Sequence, residues 1–123
     1  INGFEDLRKD YDKVELALSV LETLSKVSQE GDVHSEGLFN LGGHTLRSLE
    51  KARDLQIFRL HFNLKLLFQQ GDLEPESWMN PYLGTSMAEH EKIEGLEDPQ
   101  KEVHLSWAER HLREYLATGT LSR

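Results

Sequence analysis

Apolar and polar residues alternate for nine positions from Phe58 to Leu66. A strict period of two is the mark of a half-buried strand. The wider stretch argues against that reading. On a 100° wheel Leu55, Phe58, Phe62 and Leu66 share one side, and Ile57, Leu60, Leu64, Leu67 and Phe68 share the opposite side. Arg59 and Asn63 fill one gap between them, and His61 and Lys65 fill the other. A helix with two apolar sides is one packed between others. At ~16 residues the segment is long for a strand. Leu, Gln, Lys and Arg dominate it, and Ile57 is its only β-branched residue. No second run offers a strand to pair with, and an isolated strand leaves its backbone groups unsatisfied. The reading is a central helix over about 55–68, stopped by Gly71.

The flanking segments read as helices more directly. From Asp6 to Gln29, residues Leu7, Tyr11, Val14, Leu18 and Leu21 repeat at 4-3-4-3, with Ala17 and Leu24 widening the stripe. That stripe is expected to face the core, and Glu30-Gly31-Asp32 to stop the helix. A second helix is expected from Ser35, a suitable N-cap, to Ala52, with Leu38, Leu41, Leu46, Leu49 and Ala52 inward. Gly42-Gly43 sits in its middle, where each glycine costs ~1 kcal/mol against alanine. Gly42 projects to the apolar side, either to admit a neighbouring helix or to mark a break. The stretch from Gly71 to Pro99 is punctuated by proline and glycine. In it Trp78, Met79, Tyr82 and Leu83 are expected to plug the bundle, and Ser86 to Ile93 to add a short helix. A last helix opens at Asp98-Pro99 and runs to about Ala117, before Thr118-Gly119-Thr120. Its face is Leu105, Ala108, Leu112, Tyr115 and Leu116. The fold class is therefore all-α: one domain over residues 1–123, with four main helices in a bundle-like packing around the 55–68 helix.

Composition narrows the chemistry. The 123 residues are 37% hydrophobic and 29% charged, which is ordinary for a globule. There is no cysteine, so disulfides, thiolate metal sites and a cysteine nucleophile are excluded. This suits a reducing compartment, and a cytoplasmic location is expected. No apolar run approaches the ~20 residues of a membrane span. A net charge of −8 repels a polyanion on average, so weak or no direct nucleic-acid binding is expected. The chain opens on Ile1 without a basic-then-apolar leader and is expected to be part of a longer protein.

Candidate catalytic groups are sparse. His104 and His111 share a helix face seven residues apart, wider than a three- or four-residue metal pair, and no acid lies between them on that face. They read as boundary histidines. Glu89-His90-Glu91 reads as a polar loop or short helix. No strand–turn–helix presents a serine, and Gly42-Gly43 lacks the lysine of a phosphate loop. No metal, no cofactor and no enzymatic activity are expected. The basic residues are more suggestive. Arg47, Lys51, Arg53, Arg59 and Lys65 fall on or beside the second and third helices of an acidic chain. They either line an apolar groove for an acidic, hydrophobic peptide or scatter over the surface as i,i+4 pairs.

The segment Phe62-Asn63-Leu64-Lys65-Leu66-Leu67-Phe68-Gln69-Gln70-Gly71 resembles the Phe-x-Leu-x-Leu-Leu-x-x-x-Gly helix of the RecO family of bacterial recombination mediators. Leu7-Arg8-Lys9-Asp10-Tyr11 to Leu24 is similar to that family's first helix after its N-terminal domain. Leu38-Phe39 to Leu49-Glu50 is similar to its Leu-Phe…Leu-x-x-Leu helix. Leu112-Arg113-Glu114-Tyr115-Leu116 to Leu121-Ser122-Arg123 resembles its final helix and Lys-Ser-Arg tail. The four-cysteine zinc module of many members is missing, and Ser77-Trp78 stands where a cysteine would begin. The resemblance covers only the family's C-terminal helical domain, without the N-terminal OB-fold.

What the resemblance implies is a non-enzymatic protein-interaction and scaffolding domain in DNA repair and recombination. Its implied partners are RecR and the acidic C-terminal tail of the single-stranded-DNA-binding protein. Together with the basic cluster, this makes Arg47, Arg53, Arg59, Phe62 and Lys65 the expected partner-binding residues. The alternative is an unrelated all-α adaptor, or a module that homodimerises through the long stripe of the first helix.

Overall fold

The computed structural model describes residues 3–28, 35–71, 73–94 and 99–121. Among them the regular structure is entirely helical: α1 (Gly3–Ser28), α2 (Ser35–Leu49), α3 (Leu55–Gln69), a 3-10 turn (Ser77–Met79), α4 (Asn80–Leu83), a 3-10 segment (Met87–Lys92) and α5 (Lys101–Leu121). The alternating segment is thus a helix. It is central: α5 packs along it most extensively, and α1, α2, α4 and the 87–92 segment touch it as well. Phe58, Leu60, Leu64, Leu66 and Leu67 are completely buried. Each such side chain contributes ~1.5–3 kcal/mol relative to exposure. Phe68, assigned to the same two stripes, is instead 50% exposed, because it lies in the last turn, where the neighbours thin out.

Local chemistry sets both ends of α3. Asp54 takes an extended backbone, and its Oδ1 accepts from the amides of Gln56 (3.1 Å) and Ile57 (3.2 Å). At the other end Gly71 adopts φ +76°, the left-handed region that glycine enters without strain, and its amide bonds Phe68 O at 3.1 Å.

α2 is continuous through Gly42-Gly43, so the glycine pair does not break it. Gly42 is buried against α1, and a Cβ placed there would come within 2.7 Å of Leu24 Cδ1. The missing side chain lets the two helices approach. α2 ends earlier than expected, at Leu49, and a turn follows with Lys51 N bonded to Ser48 O and Ala52 N to Leu49 O. α5 runs past the expected stop to Leu121, with Gly119 in helical rather than left-handed backbone. The expected stop at 30–32 and the expected cap at Asp98 lie outside the described residues.

The orientation of α1 needs correction. Its buried side is Leu16, Val20 and Val27, with Ala17 and Leu24 partly buried. Tyr11, Val14, Leu18 and Leu21, expected to face the core, are exposed. Periodicity finds apolar rows but does not say which row the neighbours cover. Here Leu24 and Lys13 settle it. Leu24 meets Gly42, and Lys13 Nζ donates to Glu50 O (2.7 Å), which together turn the Leu16–Val20 row inward.

The irregular segment closes the bundle as expected. Met79 and Tyr82 are buried and Trp78 and Leu83 half-buried. The expected Ser86–Ile93 helix appears as the 3-10 segment at 87–92, kinked at Glu89 (φ −111°, ψ 24°).

Candidate functional site

A groove runs between α1 and α5 with α3 as its floor. It encloses about 310 Å³, within the size range of small-ligand and peptide side-chain pockets. Leu16, Val20, Phe62, Leu112 and Leu116 make it apolar, and Arg59, Glu109 and Arg113 rim it. Arg59 Nη1 donates to Glu109 Oε1 at 3.1 Å, with the two side chains 42% and 35% exposed. An ion pair that open to solvent is worth ~0–1 kcal/mol, so an incoming carboxylate can replace Glu109 at little cost. The groove therefore offers an apolar slot with a guanidinium held at its edge and a second one, from Arg113, on the facing helix.

Only two of the five expected binding residues, Arg59 and Phe62, meet here. Arg47 lies on α2, where its Nε donates to Gly43 O at 3.3 Å. Arg53 sits at the α2–α3 corner, beside Asp54, Glu91 and Glu94. Lys65 does not line the groove and donates to Leu83 O at 3.2 Å; burial pushes its ammonium pKa down. At 100° per residue Lys65 lies about 120° round the helix from Arg59, and its bond to Leu83 O holds it outside the groove. Arg113 was missed, although it follows the apolar Leu112 on the α5 face.

A second polar cluster lies inside the bundle and had no sequence signal beyond histidines in apolar surroundings. His61 and His90 are both buried, with their Nδ1 atoms 2.9 Å apart and the rings stacked. His61 Nε2 donates to Thr85 O at 2.7 Å. His90 Nε2 is buried without a hydrogen-bond partner, 3.7 Å from Glu94 Oε2. That oxygen accepts the amides of Arg53 (2.5 Å) and Asp54 (3.0 Å) and so holds the entry to α3. Burial drives His61 down to about 4; the His90 and Lys65 charges push the same way, and the Thr85 carbonyl opposes. Burial also lowers His90, against the pull of the Glu94 and Asp54 charges. Both shifts leave the rings neutral at pH 7.

His104 stacks on Trp78 (3.8 Å between centroids) and His111 on Trp107 (5.0 Å), both half-buried at the boundary. Among the described residues no three His, Asp or Glu side chains converge as a metal site. No helix among them is long and apolar enough to cross a membrane.

Residues 8–123 match the family model described as recombination protein O C terminal. No curated protein and no solved structure matches the chain significantly. The match spans nearly the whole chain, including every helix that forms the groove, and the reading as an unrelated adaptor falls with it. This chain belongs to the RecO C-terminal family, the helical domain of a recombination mediator in DNA repair.

Proposed function

We propose that the domain acts without catalysis, as a docking module that takes an acidic, hydrophobic peptide end in the groove between α1, α3 and α5. The peptide of first choice is the C-terminal tail of the single-stranded-DNA-binding protein, a partner implied by the family, with RecR as a further partner at another surface. The observation that carries the reading is the pairing of Arg59 with an apolar floor at Phe62 and Leu112. A terminal aromatic ring needs such a floor, and its carboxylates need cations at the edge. Arg47, Arg53 and Lys65 stand outside this groove and are given no part in it. The chain's charge of −8 disfavours nucleic acid as the ligand.

The test is a titration with a fluorescent acidic peptide ending in proline–phenylalanine. Arg59→Glu and Arg113→Glu should each weaken binding at least ~10-fold, as expected for lost charge-assisted contacts. Lys65→Glu should leave it unchanged. Binding indifferent to both arginine variants would remove the groove from consideration.

A further inference from the structure

The groove does not end at Arg59. A second cavity of about 250 Å³ adjoins it, with Leu16 and Arg59 common to both. Asp12 and Glu15 of α1, Leu55 and Gln56 of α3 and Leu105 of α5 line this second part. Residue numbers rise in the same sense along all three helices: Asp12 to Thr23, Leu55 to Asn63 and Leu105 to Leu116. The two cavities therefore form one trough, about 16 Å long on α1 at the helical rise. About five extended residues span that length.

Both parts of the trough have leucine walls, so apolar burial does not choose a direction for a bound chain. Charge does. Among the described lining residues, Asp12 and Glu15 put two carboxylates at one end, and Arg113 puts a guanidinium toward the other. Arg59 stands at the junction, with Glu109 tied to it at 3.1 Å. An acidic peptide with an apolar end has two ways to lie here. In one, its terminal carboxylate takes Arg59 from Glu109 and its upstream carboxylates run toward Arg113. In the other, the terminal carboxylate meets Arg113 and the upstream ones run past Arg59 onto Asp12 and Glu15. Like charges brought together in this way are what suppresses a wrong register.

Given the peptide groove proposed above, we infer that Asp12 and Glu15 fix the direction of the bound peptide. Its end sits at Arg59, and its acidic stretch leaves toward Thr23 and Leu116. The two carboxylates act by exclusion and make no contact with a correctly seated ligand. They also narrow the ligand class. From Leu16 to Thr23 the trough holds about three extended residues, so the ligand's acids must stand within a few residues of its apolar end to reach Arg113.

The test is the acidic peptide ending in proline–phenylalanine, with a nitroxide on its amino end, titrated into labelled protein. The expected result is paramagnetic broadening strongest at the amides of Thr23 and Leu116 and weak at Asp12 and Leu105. Replacing Asp12→Asn and Glu15→Gln together should spread the broadening to both ends, because the second direction is no longer excluded. Affinity should then rise by no more than about 2-fold, the gain from a second equivalent pose. A thermal melt of the double variant serves as the folding control. Broadening centred on Asp12 and Leu105 in the parent, or equal at both ends, overturns the inference and leaves the groove in place. So does a gain of about 5-fold or more in the double variant, which would mean that the peptide's acids already face Asp12 and Glu15. A peptide that does not bind at all removes the groove itself, and the direction with it.

Discussion

The Nδ1 atoms of His61 and His90 lie 2.9 Å apart, so one ring must present a proton and the other a lone pair. The neighbours decide which. Thr85 O only accepts, so His61 carries its proton on Nε2 and accepts at Nδ1. His90 then donates from Nδ1 and is left with a bare lone pair at Nε2, facing the Glu94 carboxylate. Burial holds both rings below the ordinary value of 6.5. The unfolded chain therefore takes up protons first as the pH falls. Stability is complete above about 6.5 and declines between 6.5 and 4, with His61 alone accounting for roughly 3 kcal/mol. Urea midpoints at about pH 7 and about pH 4.5 measure this; equal midpoints would contradict a buried neutral pair.

Glu94 stands between two needs. Its Oε2 caps the start of α3 but offers the His90 lone pair no proton. A glutamine can do both, accepting through its oxygen and donating through its amide. Glu94→Gln should be neutral or stabilising at pH 7. Glu94→Ala should cost ~1–3 kcal/mol, because it strands two backbone amides. Chemical denaturation of the two variants orders them, and the reverse order would refute the geometry.

Asp54 anchors the same helix end. Burial raises its carboxyl pKa, but the Ile57 amide and Lys101, 3.2 Å from Oδ2, outweigh that and hold it below 3.8. Its contribution is present above 3.8 and disappears only as the pH drops through the lower folded value, a window more acidic than that of the histidines. Asp54→Ala should cost ~1–2 kcal/mol at neutral pH by loss of the cap. An unchanged urea midpoint would show that Glu94 alone suffices.

The two adjacent glycines of α2 should respond in opposite ways. A Cβ at Gly43 meets only Arg47 Nη2 at 3.4 Å, so Gly43→Ala should stabilise by ~0.5–1 kcal/mol through helix propensity. At Gly42 the same atom meets Leu24 Cδ1, which can yield to an alanine but not to a leucine. Gly42→Leu should cost ~1–3 kcal/mol by forcing α1 off α2. Thermal melts distinguish the pair.

Releasing Arg59 should strengthen peptide binding. Glu109 occupies its guanidinium in the empty groove and adds a like charge for an acidic ligand. Glu109→Gln should raise peptide affinity by up to about 5-fold in the fluorescence titration, the scale of one exposed ion pair. A loss of affinity would place Glu109 on the ligand's side.

The helices were legible because composition and length overrode a misleading alternation at 58–66. The same reasoning failed on α1, which has two rows of similar quality. Its orientation depends on Gly42 admitting Leu24, a contact between residues far apart in sequence. Arg59 and Phe62 were legible as a pair because they sit one turn apart on a helix already recognised. Lys65 was grouped with them by proximity in sequence, although helical rotation carries it away. The His61–His90 pair had no local signature at all, since 29 residues and a kinked 3-10 segment separate the two rings.

The groove itself can be observed directly. Titrating labelled protein with the acidic proline–phenylalanine peptide and following backbone amide shifts maps where it sits. The account predicts that the largest changes fall on Leu16, Val20, Phe62, Leu112 and Arg113. Changes clustered instead around Lys65 and Leu83, or an unperturbed spectrum at saturating peptide, would contradict it.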